Sequence, residues 1–271
     1  MTIAAGFRCI DGVAMCSDSE HTAGQTKFYD KKIFDAHPSN GTVFIAGAGD
    51  YVYIRSAADQ IASSIYAKTV SFEQVKAEAE DAVSEVYVNH ITAARQAGDP
   101  NPTLFLLLAA YIEGEKQAKL YRVMETGSVS PVDSGIAAIG NEAAEAVLRA
   151  YADLFFRDYM SVFAVRHLAR YIVRKVLNSA SYCGGSQQIA CLTNGGISYL
   201  DNSASADPGP DYLSDLLWDL PMIIEECICP ATEEGFKAPT ERLVSKLQEA
   251  REKRKKYTIG NDPIETNGWS W

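Results

Sequence analysis

TIAAGFRCIDGVAMCSDSEH, residues 2–21, reads as two apolar strands folded back on each other. Residues 2–9 and 13–19 each carry a run of small and apolar side chains, and Ile10-Asp11-Gly12 lies between them. Asp-Gly between two such runs is a tight-hairpin signal. A hairpin of this length returns Asp18 to the start of the first strand, beside Thr2. Thr2 follows Met1 directly, and a small residue there permits removal of the initiator. The exposed threonine would then carry a hydroxyl and a free α-amine on adjacent carbons, with the amine titrating near pH ~8. That is a nucleophile with its own base.

Further along, residues 30–34 read as a short strand carrying Lys32, and Gly41–Gly49 (GTVFIAGAG) as a buried strand that ends in glycines. Taken together, Thr2, Gly6, Asp11-Gly12-Val13, Asp18-Ser19, Lys32-Ile33 and Ala46-Gly47 resemble the proteasome β-subunit family of N-terminal nucleophile hydrolases, HslV-like members included. The resemblance covers residues 2 to about 200 and implies a four-layer αββα sandwich of two antiparallel sheets, an α+β fold. It also implies roles. Thr2 would be the nucleophile, Lys32 a buried ammonium favouring its deprotonated hydroxyl, and Asp18 the carboxylate that orients Lys32. The Gly47 N–H would face the oxygen that becomes negative during acyl transfer, and Ile45 would line an apolar substrate pocket. In two places the chain departs from the pattern. Asn141, in Gly140-Asn141-Glu142, stands where the family has a serine. Ala180-Ser-Tyr-Cys183-Gly-Gly stands where it has Asp-x-x-Ser-Gly-Gly, so that Cys183 replaces a serine and Ala180 an aspartate.

The rest of the chain fits this layout. Apolar residues recur at helical spacing from Ile54 to Ile65, and a second helix starts at Ser71 with Gln74 closing a capping box. It runs to a stop before the Gly98–Pro102 region. Residues 103–112 form a near-continuous apolar strand of the kind buried on both faces. A more polar strand follows at 119–125, a loop at 127–131 and a short strand at 136–139. Two more helical stripes, Ala146 to Leu154 and Val165 to Val176, break near 157–161. Residues 188–192 and 197–200 then pair through Asn194-Gly195-Gly196. Strands, two helices, strands, two helices, strands is the order a helix–sheet–sheet–helix sandwich requires. The expected domains are a catalytic unit over 1–230 and a charged, helical extension over 231–271.

Composition narrows the function. The 271 residues carry a net charge of −10, against a nucleic-acid or anionic-membrane surface. No apolar run is long enough to span a bilayer, and Arg8 and Asp11 interrupt any leader-like segment. Neither the six cysteines nor the four histidines have metal-ligand spacing. The expectation is a cytoplasmic enzyme without metal or cofactor, cleaving peptides or polypeptides. The resemblance implies a homo-oligomeric ring, with an ATP-driven unfoldase as a further partner. The alanines Ala57, Ala58, Ala62, Ala79 and Ala82 and the aromatics Tyr51, Tyr53, Phe155 and Phe156 are read as ring contacts. Two alternatives stay open: a non-catalytic ring subunit and an acylase of small amides.

Overall fold

In the computed structural model, β1 (Ile3–Cys9) and β2 (Gly12–Asp18) form the antiparallel hairpin, with Gly6 opposite Met15. The structure describes residues 3–23, 26–99, 102–180, 183–201, 241–242 and 244–249. The chain divides into two compact units, Met1–Ala206 and Asp207–Trp271. In the second unit the described residues, 241, 242 and 244–249, are helical. The boundary expected at 230 and a short helix expected near 212–220 lie outside the described residues.

Within the first unit, β10 (Ile136–Gly140), β1, β2, β11 (Gln187–Thr193) and β12 (Ser198–Asp201) make one antiparallel sheet in that spatial order. A second sheet runs β5 (Ile33–Ala36), β6 (Gly41–Gly49), β7 (Leu104–Ile112), β8 (Lys119–Val123) and β9 (Val129–Pro131). The two sheets stack through Ala4, Val13 and Met15 on one side and Phe44, Ala46 and Leu107 on the other. On the far face of the second sheet, Ile45, Leu106 and Leu108 pack under α1 (Tyr51–Ile65) and α2 (Phe72–Val86). α4 (Glu142–Phe155) and α5 (Val162–Ser179) follow the first sheet's strand β10, and α5 packs on β2 and β11. The result is the αββα sandwich.

β7 shows why its sequence is apolar throughout. Leu106 and Leu108 face the helices while Leu107 and Ala109 face the other sheet, so both halves of the period-2 pattern are buried. Each such leucine contributes about 1.5–3 kcal/mol of transfer free energy. Side-chain caps start the helices. Ser71 Oγ accepts from the Gln74 N–H at 3.3 Å and Gln74 Oε1 accepts from the Ser71 N–H at 2.7 Å, the expected capping box. At α5 the turn residue Asp11 takes the Val162 N–H at 2.7 Å, tying the opening hairpin to the helix layer.

Between Asp18 and Lys32, β3 (Glu20–Ala23) and β4 (Thr26–Tyr29) form a separate two-stranded sheet. The loop read at 127–131 contains β9, an edge strand ending in Pro131, where a missing N–H is harmless. After α2 the chain continues through one wide π-type turn, Tyr87–Ile91, into α3 (Thr92–Gln96). The residues read as ring contacts are less exposed than that reading expects. Ala57, Ala58, Ala79 and Ala82 belong to the chain's own core, Phe156 is buried, and Tyr51, Tyr53 and Phe155 are half-buried.

Candidate active site

Asp18 ends β2 and Lys32 precedes β5, and the two side chains meet. Lys32 Nζ donates to Asp18 Oδ1 at 2.6 Å, with both side chains 0% exposed. Burial is the largest influence on the Lys32 ammonium and lowers its proton affinity. The charge and hydrogen bond of Asp18 act against that and raise it. Among the described residues, two backbone N–H groups also donate to Asp18. The Ile3 N–H reaches Oδ1 at 3.1 Å and the Gly184 N–H reaches Oδ2 at 3.2 Å. The start of β1, the end of β2, the segment before β5 and the glycines after α5 thus converge on one carboxylate. Thr2 lies outside the described residues, and Ile3 is its peptide-bonded neighbour.

A residue that no sequence motif marks fixes Lys32 from behind. Gln188, on β11 and buried, accepts from the Lys32 N–H at 2.8 Å and the Ile33 N–H at 3.2 Å through Oε1. Its Nε2 donates to the Asp30 carbonyl at 3.0 Å. One amide side chain therefore sets the path of residues 30–33. The polar position in an apolar strand is the available signal, since a buried amide must find partners.

Cys183 is buried, and its thiol is pushed up to about 12, by desolvation first and the Asp18 charge second. It is therefore a neutral thiol beside Asp18 and Lys32 and unsuited to attack as a thiolate. Asn141 is the N-cap of α4, its Oδ1 accepting from the Ala143 and Ala144 N–H groups at 3.1 and 3.2 Å. Capping a helix is what Asn does at such a position. Asn141 follows Gly140, which pairs with Ile3, so the cap stands at the same end of β1 as Asp18.

Two pocket assignments are corrected by the geometry. The Gly47 N–H donates to the Lys32 carbonyl at 3.0 Å and is already committed within the sheet. A Cβ at Gly47 would lie 2.2 Å from Ile54 Cγ2, so glycine is required there by the close approach of α1. Ile45, on the same face of β6, is wholly buried in the core beneath α1 and α2 and lines no substrate pocket. The groups beside Lys32 are instead those of the β3–β4 hairpin. His21 packs between Phe28 and Tyr51, with ring centroids 5.2 and 4.6 Å away, and Tyr51 donates to Asp30. Burial, followed by the Lys32 charge, lowers the His21 pKa to about 4, so His21 is neutral near pH 7. Among the described residues no group of three or more His, Cys, Asp or Glu side chains is arranged to hold a metal ion.

Two antiparallel sheets stacked between helix layers are the architecture of the N-terminal nucleophile hydrolases. The family model described as "Proteasome subunit" matches residues 2–192, and the chain belongs to that family. Among solved structures, Anbu (ancestral β-subunit) from Yersinia bercovieri is similar at 17% identity. The match covers 86% of this chain and 99% of that one, with a TM-score of 0.70. The helical assembly of the Anbu complex from Pseudomonas aeruginosa matches at 15% identity, covering 87% and 100% with a TM-score of 0.71. Anbu from Hyphomicrobium sp. strain MC1, as a Gly-1 mutant, matches at 16% identity, covering 82% and 95% with a TM-score of 0.67. At these identities the likeness is one of fold. Comparison with curated proteins returns no match. Among the described residues no helix is long and apolar enough to cross a membrane.

Proposed function

We propose that this chain is a threonine-nucleophile amide hydrolase that cleaves polypeptides within a homo-oligomeric, proteasome-like assembly. The observation that carries the reading is the wholly buried Asp18–Lys32 pair, whose carboxylate also takes the N–H of Ile3. Thr2 is the residue covalently joined to that N–H. Burying two charges is costly, and a scaffold strand gains little from it. A nucleophile beside the pair gains a nearby positive charge that favours its deprotonated hydroxyl.

The reaction follows from those groups. With Met1 removed, the Thr2 α-amine takes the hydroxyl proton as Oγ attacks the peptide carbonyl carbon. The C–N bond then breaks, and the proton passes to the leaving nitrogen. Water, giving a proton to the same amine, then attacks the ester carbon; the C–Oγ bond breaks, the amine passes that proton to Oγ, and the product leaves as a carboxylic acid. Gly47 is not the oxyanion donor in this arrangement, because its N–H is held by the Lys32 carbonyl.

A second reading keeps the fold and drops the chemistry: a non-catalytic subunit of such an assembly. The committed Gly47 N–H and the alanine at 180 favour it. An enclosed chamber would favour unfolded polypeptide delivered by an ATP-driven unfoldase, whereas an open form would suit small amides. Intact-mass spectrometry separates the two main readings. The hydrolase reading expects loss of Met1 and one added mass from a peptide epoxyketone. Protein that begins at Thr2 yet gains no mass would overturn it.

A further inference from the structure

The backbone of Lys32 is held from both sheets at once. Its carbonyl accepts from the Gly47 N–H of β6 at 3.0 Å, in the second sheet. Its N–H donates to Gln188 Oε1 of β11 at 2.8 Å, in the first. The Ile33 N–H shares that oxygen at 3.2 Å, and Gln188 Nε2 donates to the Asp30 carbonyl at 3.0 Å. Two donors on one atom and an acceptor on the other fix the orientation of the amide. An ionised carboxylate would have no donor for that carbonyl, and a cation no acceptor for the two N–H groups. Gln188 is buried on a strand whose next four residues, Ile189 to Leu192, are buried and apolar. Register adds a second link. Gln187 pairs with Asp18 and Gln188 with Ser17 across β2. The strand that lies beside the carboxylate therefore also carries the side chain that holds the backbone of the ammonium.

We propose that Gln188 is a positioning residue of the Asp18–Lys32 centre: by pinning the Lys32 backbone to β11, it holds an ammonium that leads into the second sheet against a carboxylate that belongs to the first. Removing the amide leaves the Lys32 and Ile33 N–H groups without their acceptor, which costs stability whatever the charged side chains do. The pair adds a second cost, because a shift of segment 30–33 separates a buried ammonium from a buried carboxylate. Only the second cost needs the charges, so the two can be told apart. Any consequence for catalytic rate rests on the hydrolase reading, whereas the coupling of Gln188 to the charge pair does not.

The test is a cycle of urea unfolding on the full chain. Gln188→Met, which keeps the bulk and removes the amide, is made in the parent and in the double variant Asp18→Asn with Lys32→Met. The factor by which it lowers the folding equilibrium constant should be on the order of ten times greater in the parent. Folding of Gln188→Met in the double variant alone would be the same result in extreme form. Equal losses in the two backgrounds would make Gln188 a structural residue only and overturn the proposal. Should Gln188→Met fold in neither, Gln188→Asn, shorter by one carbon, carries the same cycle with the same two outcomes. Acylation by the peptide epoxyketone gives a second readout. Gln188→Met should lower the maximal acylation rate on the order of 100-fold, as misplaced reacting groups do. The reagent concentration giving half that rate should stay the parent's, because Gln188 faces the lysine backbone. An unchanged maximal rate beside an acylated parent overturns the proposal. A parent that is not acylated defeats the hydrolase reading instead, and the unfolding cycle then decides on Gln188 alone.

Discussion

Lys32 sits one residue before β5, where the resemblance to the proteasome β-subunit family implies a buried ammonium. The structure removes it wholly from water and sets it 2.6 Å from an equally buried carboxylate. That changes what a substitution means. Lys32→Ala leaves the Asp18 charge buried without its ammonium, a defect that typically costs about 3–5 kcal/mol. Loss of acylation in that variant would then report unfolding as readily as chemistry. The double change Asp18→Asn with Lys32→Met removes both charges and should cost less than the two single changes added together. A coupling of roughly 0.5–3 kcal/mol is expected from urea unfolding of the four proteins. Strict additivity would show that the pair does not form in solution.

At the scale of elements, regular patterns are legible in the sequence and their interruptions are not. The opening hairpin, the β6 and β7 strands, the capping box at Ser71 and the two late helices follow from periodicity and turn chemistry, because each buries a contiguous stripe. The β3–β4 hairpin gives no such signal, because Thr26–Tyr29 is largely exposed and carries no alternation to read. The site is half legible. Asp18 and Lys32 are marked by the family resemblance, whereas Gln188 matters through contacts across about 155 residues or more of chain that no local pattern encodes. Gly47 shows the same limit in reverse, since a glycine read as substrate clearance serves helix packing instead. Gly47→Ala should therefore destabilise the fold by about 1–3 kcal/mol through overpacking against Ile54. Pairing it with Ile54→Ala, itself a cavity-forming change, should cost less than the two single changes added together in thermal or urea unfolding. If Gly47→Ala proves neutral, α1 does not lie as close to β6 as described.

At the scale of the whole molecule, the proposed assembly needs a surface that would meet another copy. The alanine stripes are consumed by the chain's own core, so the proposal draws its contacts from side chains left outside it. Val52 on α1, Tyr66 just after it and Val88 in the π-type turn after α2 are 70, 69 and 64% exposed. All three belong to the helix layer over the second sheet, and single exposed apolar residues are ordinary whereas several on one layer mark a contact. A net charge of −10 makes accidental association through that layer less favourable, so contacts there must be specific. Light scattering of the parent protein at micromolar concentration should give a mass several times 29.5 kDa. Val52→Glu together with Val88→Glu should bring it down to the single-chain value. Such surface changes ordinarily shift fold stability by no more than about 0.5 kcal/mol, so the unfolding transition should persist. A parent protein that scatters as a monomer would remove the assembly, and the case for a polypeptide substrate with it.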